Sequence, residues 1–409
     1  MDNKVPLKDH KQIGQELELF FTNDIAPGAP FWLPKGMIIF KELEKYIREL
    51  TLKAGYQETS TPIMVKSELF KQSGHWVKFG EHNMYNLQLA DDAEDSKPAS
   101  YTLKPMNCPE STILFSFRTR SYKELPLRLS EIGRLHRKEK SGEVNGLLRV
   151  RQLTMDDAHI YARESQIFDE VSNILDMMTS FYKNFGFEYE FRFATRPEQR
   201  AGTDEMWDKA EKDLADVLKQ KGIKAGDKKG DGAFYGPKID MHIKDALGRE
   251  WQLATVQLDF HMPQAFDLKY VNEKGEVEKP VMIHRAIFGS FERFLGILTE
   301  HYQGAFPLWL IPTQVIIMPI TDKQDEFARK VVEDLKKEGI RAELDNRQER
   351  LQAKIRDGAL QKVPYLGIIG DREISDASVS VRMRDGKDLG KLKISDFLQK
   401  LKEEIDKKI

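Results

Sequence analysis

Residues 128–162 read RLSEIGRLHRKEKSGEVNGLLRVRQLTMDDAHIYA, a run that gathers guanidinium, carboxylate and imidazole groups at close spacing. Two apolar-rich arms, 127–135 and 147–160, flank a polar segment with Ser141, Gly142, Asn145 and Gly146. That pattern predicts two antiparallel strands joined by a long loop. Arg137 and Glu139 stand two apart, as neighbours on one face of a strand do, and on the second arm Arg149, Asp157 and His159 share one parity. Such groups on a common face are a poor way to build a core and a good way to hold a polyphosphate and a polar substrate.

The chain around this hairpin has to position it. Upstream, Phe40, Leu43, Ile47, Leu50 and Ala54 recur at helical steps, with Gly55 as the stop and an extended segment over 56–62. Downstream, Ile167, Phe168, Val171, Ile174, Leu175, Met178, Phe181 and Tyr182 predict a long helix with one broad apolar face. The strand-like EYEFRF and a helix over 204–220 follow. Strands come next in 233–243 and 250–260, and then a helix opening near Ser290. Alternating strands, helices and hairpins indicate an α+β domain on an antiparallel sheet flanked by helices. Beyond FPLWLIP at 306–312 the pattern changes to βαβαββα, ending in a helix over 394–406, the order of a small α/β domain. The expected division is 1–308 and 309–409. The acidic stretch at 90–100, ADDAEDSKPAS, is expected as a solvated connection.

With 409 residues, 40% hydrophobic and 32% charged, the chain is globular and long enough for two or three domains. No apolar run reaches the roughly 18 residues of a membrane span. The polar N-terminus lacks an apolar signal region, and a cytoplasmic protein is expected. A single cysteine excludes an internal disulfide and any CxxC zinc ribbon. A net charge of −2 argues against bulk electrostatic attraction to nucleic acid, so any RNA contact must come from local patches. No GxxxxGK[ST] phosphate loop is present.

Four stretches carry a family resemblance: HRKE with the long loop and RVRQLTMDDAHIY, then LKPMNCPE at 103–110, FYGPKID at 234–240, and TVQLDF at 255–260 with IHRAIFGSFERF at 283–294. In order and spacing the chain resembles class II aminoacyl-tRNA synthetases in their threonyl version over nearly its whole length. The C-terminal part resembles the anticodon-binding domain of the threonyl, prolyl, histidyl and glycyl enzymes. The resemblance implies activation of L-threonine with ATP and transfer to tRNA(Thr). It also implies a homodimer built through the helix and strand over 40–62, with no membrane partner.

Residue by residue, the resemblance implies a Zn²⁺ held by Cys108, His159 and His284. These three lie too far apart in sequence for a local finger, so only the fold could join them. One cysteine and two histidines leave a position open, the catalytic pattern. Zinc binding to the amino group and hydroxyl of threonine would reject valine, with Asp157 accepting from the hydroxyl. Arg137, Glu139, Arg149 and Arg293 form the implied nucleotide set, with Mg²⁺ accompanying ATP. Met106, Tyr235, Lys238, Gln257 and Ser290 complete the amino-acid and ATP site, and His75 is implied near the tRNA acceptor end. Asn346, Arg347, Arg350, Lys354, Arg356, Arg382 and Arg384 are candidates for RNA contact. Three positions depart from the family: Met155 for glutamine, Leu153 for an adenine-stacking phenylalanine, and Glu110 with Ser111 for Gly-His. Relatives usually carry an editing domain ahead of the catalytic one. That region is absent here, and a shortened chain is the expectation.

Overall fold

The computed structural model describes residues 6–80, 83–89 and 99–408; most of the acidic connection expected at 90–100 lies outside them. The chain forms two compact units, one of residues 22–30 and 46–296, the other of 1–21, 31–45 and 297–409.

The first unit is built on eight strands, β1 (Gln57–Glu58), β2 (Leu127–His136), β3 (Gln152–Ala162), β4 (Tyr189–Ala194), β5 (Ala225–Lys228), β6 (Lys238–Lys244), β7 (Glu250–Asp259) and β8 (Val281–Ala286). Their order across the sheet is β5-β4-β6-β7-β8-β3-β2-β1. All neighbours are antiparallel except the outer pairs β4/β5 and β2/β1. The register matters more than the order. Lys238 pairs with Gln257, Gln257 with His284, and His284 with His159, so four polar residues from four strands form one row. Directly paired residues point to the same side of a sheet, and this row therefore defines one face.

The opposite face is the core. The helix Ile167–Asn184 lays its apolar stripe there, with Val171, Leu175, Met178, Phe181 and Tyr182 fully buried. The Phe181 ring stacks on Tyr46 and Phe288 at centroid distances of 5.5 Å each. Within this apolar layer sits a fully buried ion pair, Arg285 Nη1 to Asp156 Oδ1 at 2.5 Å, both side chains at most 3% exposed. Asp156 also accepts from the backbone of Ile287 at 2.7 Å, so it ties β3 to the chain leaving β8. The helix Asp204–Gln220 is the one expected over 204–220, opened by Thr203, whose hydroxyl accepts from the Met206 amide.

The hairpin differs from expectation in its second arm, which begins at Gln152 rather than 147. Arg137, Glu139 and Arg149 thus lie in the connection, not on a strand face. Asn145 and Arg149 pair with each other in a local bridge, while Leu147, Leu148 and Val150 are buried. The apolar alternation that mimics a strand is a loop folding its own cap onto the sheet.

The C-terminal part of the second unit holds β9 (Val315–Pro319), β10 (Ala342–Leu344), β11 (Tyr365–Ile369), β12 (Ser378–Met383) and β13 (Asp388–Lys393), ordered β10-β9-β11-β12-β13. Helices Asp325–Lys337, Leu351–Leu360 and Ile394–Asp406 accompany them, and Val315, Ile317, Val331, Leu335, Phe397 and Leu401 close the core. The expected order lacked the short helix Asp371–Ser375 and the edge strand β13. In β13 Gly390 has φ +71°, and the β12/β13 register shifts between Val381 and Arg382, which removes the alternation that marks a strand.

Candidate active site

The polar face of the sheet opens into a cavity of about 360 Å³ in the first unit. Met106, Arg137, Glu139, Arg149, Leu153, Asp157, His159, Tyr235, Gln257, His284, Ser290 and Arg293 all line it. Residues predicted from four separated stretches are thereby brought together. Cys108, Lys238 and His75 are buried just outside the lining shell.

Two subsites follow from chemistry. In the first, Cys108, His159 and His284 each offer a donor atom, all within 4.8 Å of one another, and all three residues are buried. Tetrahedral zinc with thiolate and imidazole ligands needs donors roughly 3.3–3.8 Å apart, a small contraction from this spacing. Asp259 Oδ2 lies 2.9 Å from His284 Nε2, the carboxylate–histidine pairing that orients a metal ligand. The Tyr235 ring stacks on His284 at 4.6 Å, and His75 Nε2 sits 3.3 Å from Cys108 Sγ. Burial holds His159 well below its ordinary pKa, and His75 at about 3, so both imidazoles are neutral. Burial and nearby carboxylates push the Cys108 thiol up. A buried set of one thiol and two imidazoles, the thiol of a kind that an adjacent cation would hold as thiolate, fits a metal ion.

Beside it, Asp157 accepts from Asn107 Nδ2 at 3.0 Å, and burial raises its carboxyl to about 6. Gln257 accepts from Tyr235 at 2.6 Å and donates to Thr255 at 3.1 Å. Thr255 and Lys238 both bond Asp240, at 2.7 and 2.6 Å. This chain of bonds fixes the side chains of β6 and β7 before any substrate arrives. Gly236 has its own reason: a Cβ there would meet the Leu258 carbonyl oxygen at 1.9 Å, so Tyr235 can be brought to the sheet only with glycine following it.

The second subsite is cationic. Arg137 is half-buried, its Nε on the Pro105 carbonyl at 3.2 Å and one Nη 3.1 Å from Met106 Sδ. Arg293 donates to the Leu148 carbonyl at 2.9 Å. Burial lowers the pKa of both, and Arg137 and Arg149 lower that of Arg293 further. Arg149 reaches Glu139 at 2.9 Å and Glu143 at 2.8 Å. Mutually repelling, partly desolvated guanidinium groups are relieved by a polyanion.

Sequence reasoning missed Asn107, Asp259, Thr255 and Asp240, which bond the predicted residues. Asn107 directly precedes Cys108 and Asp259 is the fifth residue of TVQLDF, so both lay inside quoted motifs.

A profile described as tRNA synthetase class II core domain (G, H, P, S and T) matches residues 88–302, and one described as anticodon binding domain matches 314–404. A solved structure titled as the RNA binding domain of threonyl-tRNA synthetase from Cryptosporidium parvum Iowa II superposes with a TM-score of 0.92. Its sequence is 37% identical, over 97% of this chain and 98% of that one. The chain belongs to the threonyl-tRNA synthetase family of class II. A threonine–tRNA ligase of Clostridium tetani is 50% identical over 402 residues, 98% of this chain and 62% of the relative. The chain thus spans about 62% of the length of the curated relatives it matches. Prolyl-tRNA synthetase of Cryptosporidium parvum shares the fold, with a TM-score of 0.73 at 19% identity over 98% of this chain and 76% of that one.

For this synthetase-family chain the predicted RNA residues form no single class. Arg350 and Arg356 are exposed. Asn346 bonds Asp325 at 2.9 Å, and Arg347 pairs with Asp345 at 2.7 Å. Lys354 is buried on the carbonyls of Asp345 and Pro319. Arg384 donates to the carbonyls of Ala305 and Phe306, both at 2.9 Å, and of Lys362 at 3.1 Å. Arg384 therefore holds main chain together within its own unit. No helix among the described residues is long and apolar enough to cross a membrane.

Proposed function

We propose that this chain is a threonine–tRNA ligase: it activates L-threonine with ATP and transfers it to the 3′-terminal ribose of tRNA(Thr). The observation that carries the reading is that one cavity joins the Cys108, His159, His284 cluster to the guanidinium groups of Arg137 and Arg293. In the activation step a carboxylate oxygen of threonine bonds the α-phosphorus of ATP and the bond to the pyrophosphate oxygen breaks. No side chain needs to exchange an electron pair, so positioning and charge stabilisation do the work. Arg137, beside Met106, holds the α-phosphate and the threonine carboxylate, and Arg293, capped by Ser290, holds the γ-phosphate of a bent nucleotide. Glu139, oriented by Arg149, reads the adenine amino group, and Leu153 lies under the base. Mg²⁺ enters with ATP and neutralises the leaving pyrophosphate.

Asp157, steadied by Asn107, accepts from the threonine hydroxyl, and Tyr235 with Gln257 faces the amino-acid end. Lys238, held by Asp240, keeps that network in place. Cys108, His159 and His284 would hold a zinc ion, which would supply Lewis acidity toward the amino group and hydroxyl of threonine; valine lacks that hydroxyl. His75 lies behind the cysteine, toward the acceptor end of tRNA in this reading. Residues 1–308 serve as the catalytic domain and 309–409 as the anticodon domain, contacting RNA through Arg350, Arg356, Arg347 and Asn346. The active form is a cytoplasmic homodimer joined through the helix Pro34–Lys53 and the strand that follows it.

The test is ATP–pyrophosphate exchange with threonine, serine, valine and proline in parallel. Exchange with threonine, weaker with serine and negligible with valine, is expected. A folded, zinc-loaded chain that exchanges with none of them would replace this reading with that of a tRNA-binding protein without adenylation activity.

A further inference from the structure

Trp251 lies on β7 at the rim of the cavity and belongs to none of the roles above. Its surroundings are specific. The guanidinium carbon of Arg293 lies 5.5 Å from the indole centroid, and that of Arg249 lies at the same distance. The indole Nε1 donates to Asp245 Oδ2 at 2.7 Å. Asp245, almost fully buried, also accepts from Arg249 Nε at 2.6 Å and from the amides of Leu247 and Arg249 at 2.9 and 2.8 Å. One carboxylate thus builds the β6–β7 turn and fixes the rotation of the ring beside it.

We propose that Trp251, anchored by Asp245, is a positioning residue that sets the plane of Arg293 for the phosphates of the nucleotide. The inference rests on the nucleotide-site reading above. Its physical basis is the choice of partner. A carboxylate beside Arg293 would fix the guanidinium but also neutralise it and occupy its N–H edge. An aromatic face attracts the cation through the ring while leaving those N–H groups for an anion. The Leu148 carbonyl takes Nε alone, so the contacts to Arg293 constrain its orientation and leave its charge in place.

The experiment measures binding of a non-hydrolysable ATP analogue by equilibrium dialysis, with exchange kinetics alongside. The variants are Trp251→Leu, Trp251→Phe, Asp245→Asn, Arg293→Lys and the double variant Trp251→Leu with Arg293→Lys. Loss of a partly desolvated cation–ring contact is expected to weaken analogue binding roughly five- to thirtyfold in Trp251→Leu, with Trp251→Phe largely restoring it and Asp245→Asn falling between. The KM for threonine is expected to stay unchanged. The double variant is expected to lose less than the product of the two single effects, because the residues act as a unit. Unchanged binding in Trp251→Leu, independent effects in the double variant, or an equal rise in the KM for threonine would overturn the inference. Should Trp251→Leu fail to fold, normal binding by Asp245→Asn would overturn it as well. An unaltered chain without threonine-dependent exchange would overturn the nucleotide-site reading, and this inference with it.

Discussion

Gly133 and Asn107 fit together as a pair: a Cβ built on Gly133 would lie 2.4 Å from Asn107 Oδ1. The bare backbone of β2 leaves the space in which the amide turns its Nδ2 toward Asp157 Oδ2, 3.0 Å away. Gly133 pairs with Met155, two residues before Asp157 on β3, so a glycine on one strand determines how a carboxylate on the next is held.

Gly133→Ala should therefore act on threonine rather than on ATP. The displaced amide removes a hydrogen bond to a buried carboxylate, about 1–3 kcal/mol. The KM for threonine in exchange assays is expected to rise about tenfold, at an unchanged KM for ATP. Equal rises in both constants would mean that the methyl group disturbs the sheet and not the Asn107–Asp157 contact.

Cys108→Ser should remove the metal. A hydroxyl is a far weaker zinc ligand than a thiolate, and the remaining pair of histidines does not make a closed site. Elemental analysis of the purified variant is expected to show zinc below a tenth of the unaltered content, on the order of what losing one of three ligands allows. Discrimination between threonine and valine should fall with it. Zinc retained at the original stoichiometry would remove Cys108 from the ligand set.

The Asp156–Arg285 pair tests the other face of the same strands. Asp156→Ala leaves a fully buried guanidinium without its carboxylate and strips two backbone amides, those of Ile287 and Phe288, of their acceptor. Breaking a buried pair from one side costs about 3–5 kcal/mol. The midpoint of urea unfolding, followed by circular dichroism, should drop accordingly. A shift under about 1 kcal/mol would show that water or relaxation replaces the carboxylate.

How far the sequence disclosed this arrangement depends on the range of each interaction. Helices such as Ile167–Asn184 and Ile394–Asp406 were legible because their apolar positions repeat within a few residues. The row Lys238, Gln257, His284, His159 was not, since it exists only through pairing of β6, β7, β8 and β3, and β3 lies far from β6 and β8 in sequence. Family motifs supplied the membership of the cavity, while periodicity gave nothing that joined Cys108 to His284. The loop carrying Arg137, Glu139 and Arg149 was misread as strand because buried Leu147, Leu148 and Val150 imitate an inward-facing arm. Asp259 passed unnoticed because a strand-ending aspartate has a common local role, and here it has that too, accepting from the amides of His261 and Met262 at 2.7 and 2.9 Å.

The basic residues of the C-terminal part separate by what their charges touch, and the separation predicts two different phenotypes. Arg384 serves three main-chain carbonyls, so Arg384→Ala should lower the melting temperature by several degrees, as about 1–3 kcal/mol of unpaired carbonyls implies. Its effect on tRNA charging at low temperature should be small. Arg350 and Arg356 are exposed, so replacing both with alanine should leave the melting temperature within about a degree, as surface changes usually do. That double variant should retain threonine-dependent pyrophosphate exchange while its KM for tRNA rises, with a shallower dependence on salt. Thermal melts and paired exchange and aminoacylation assays distinguish the two. A double variant that charges tRNA normally would move the RNA-binding surface elsewhere on this unit.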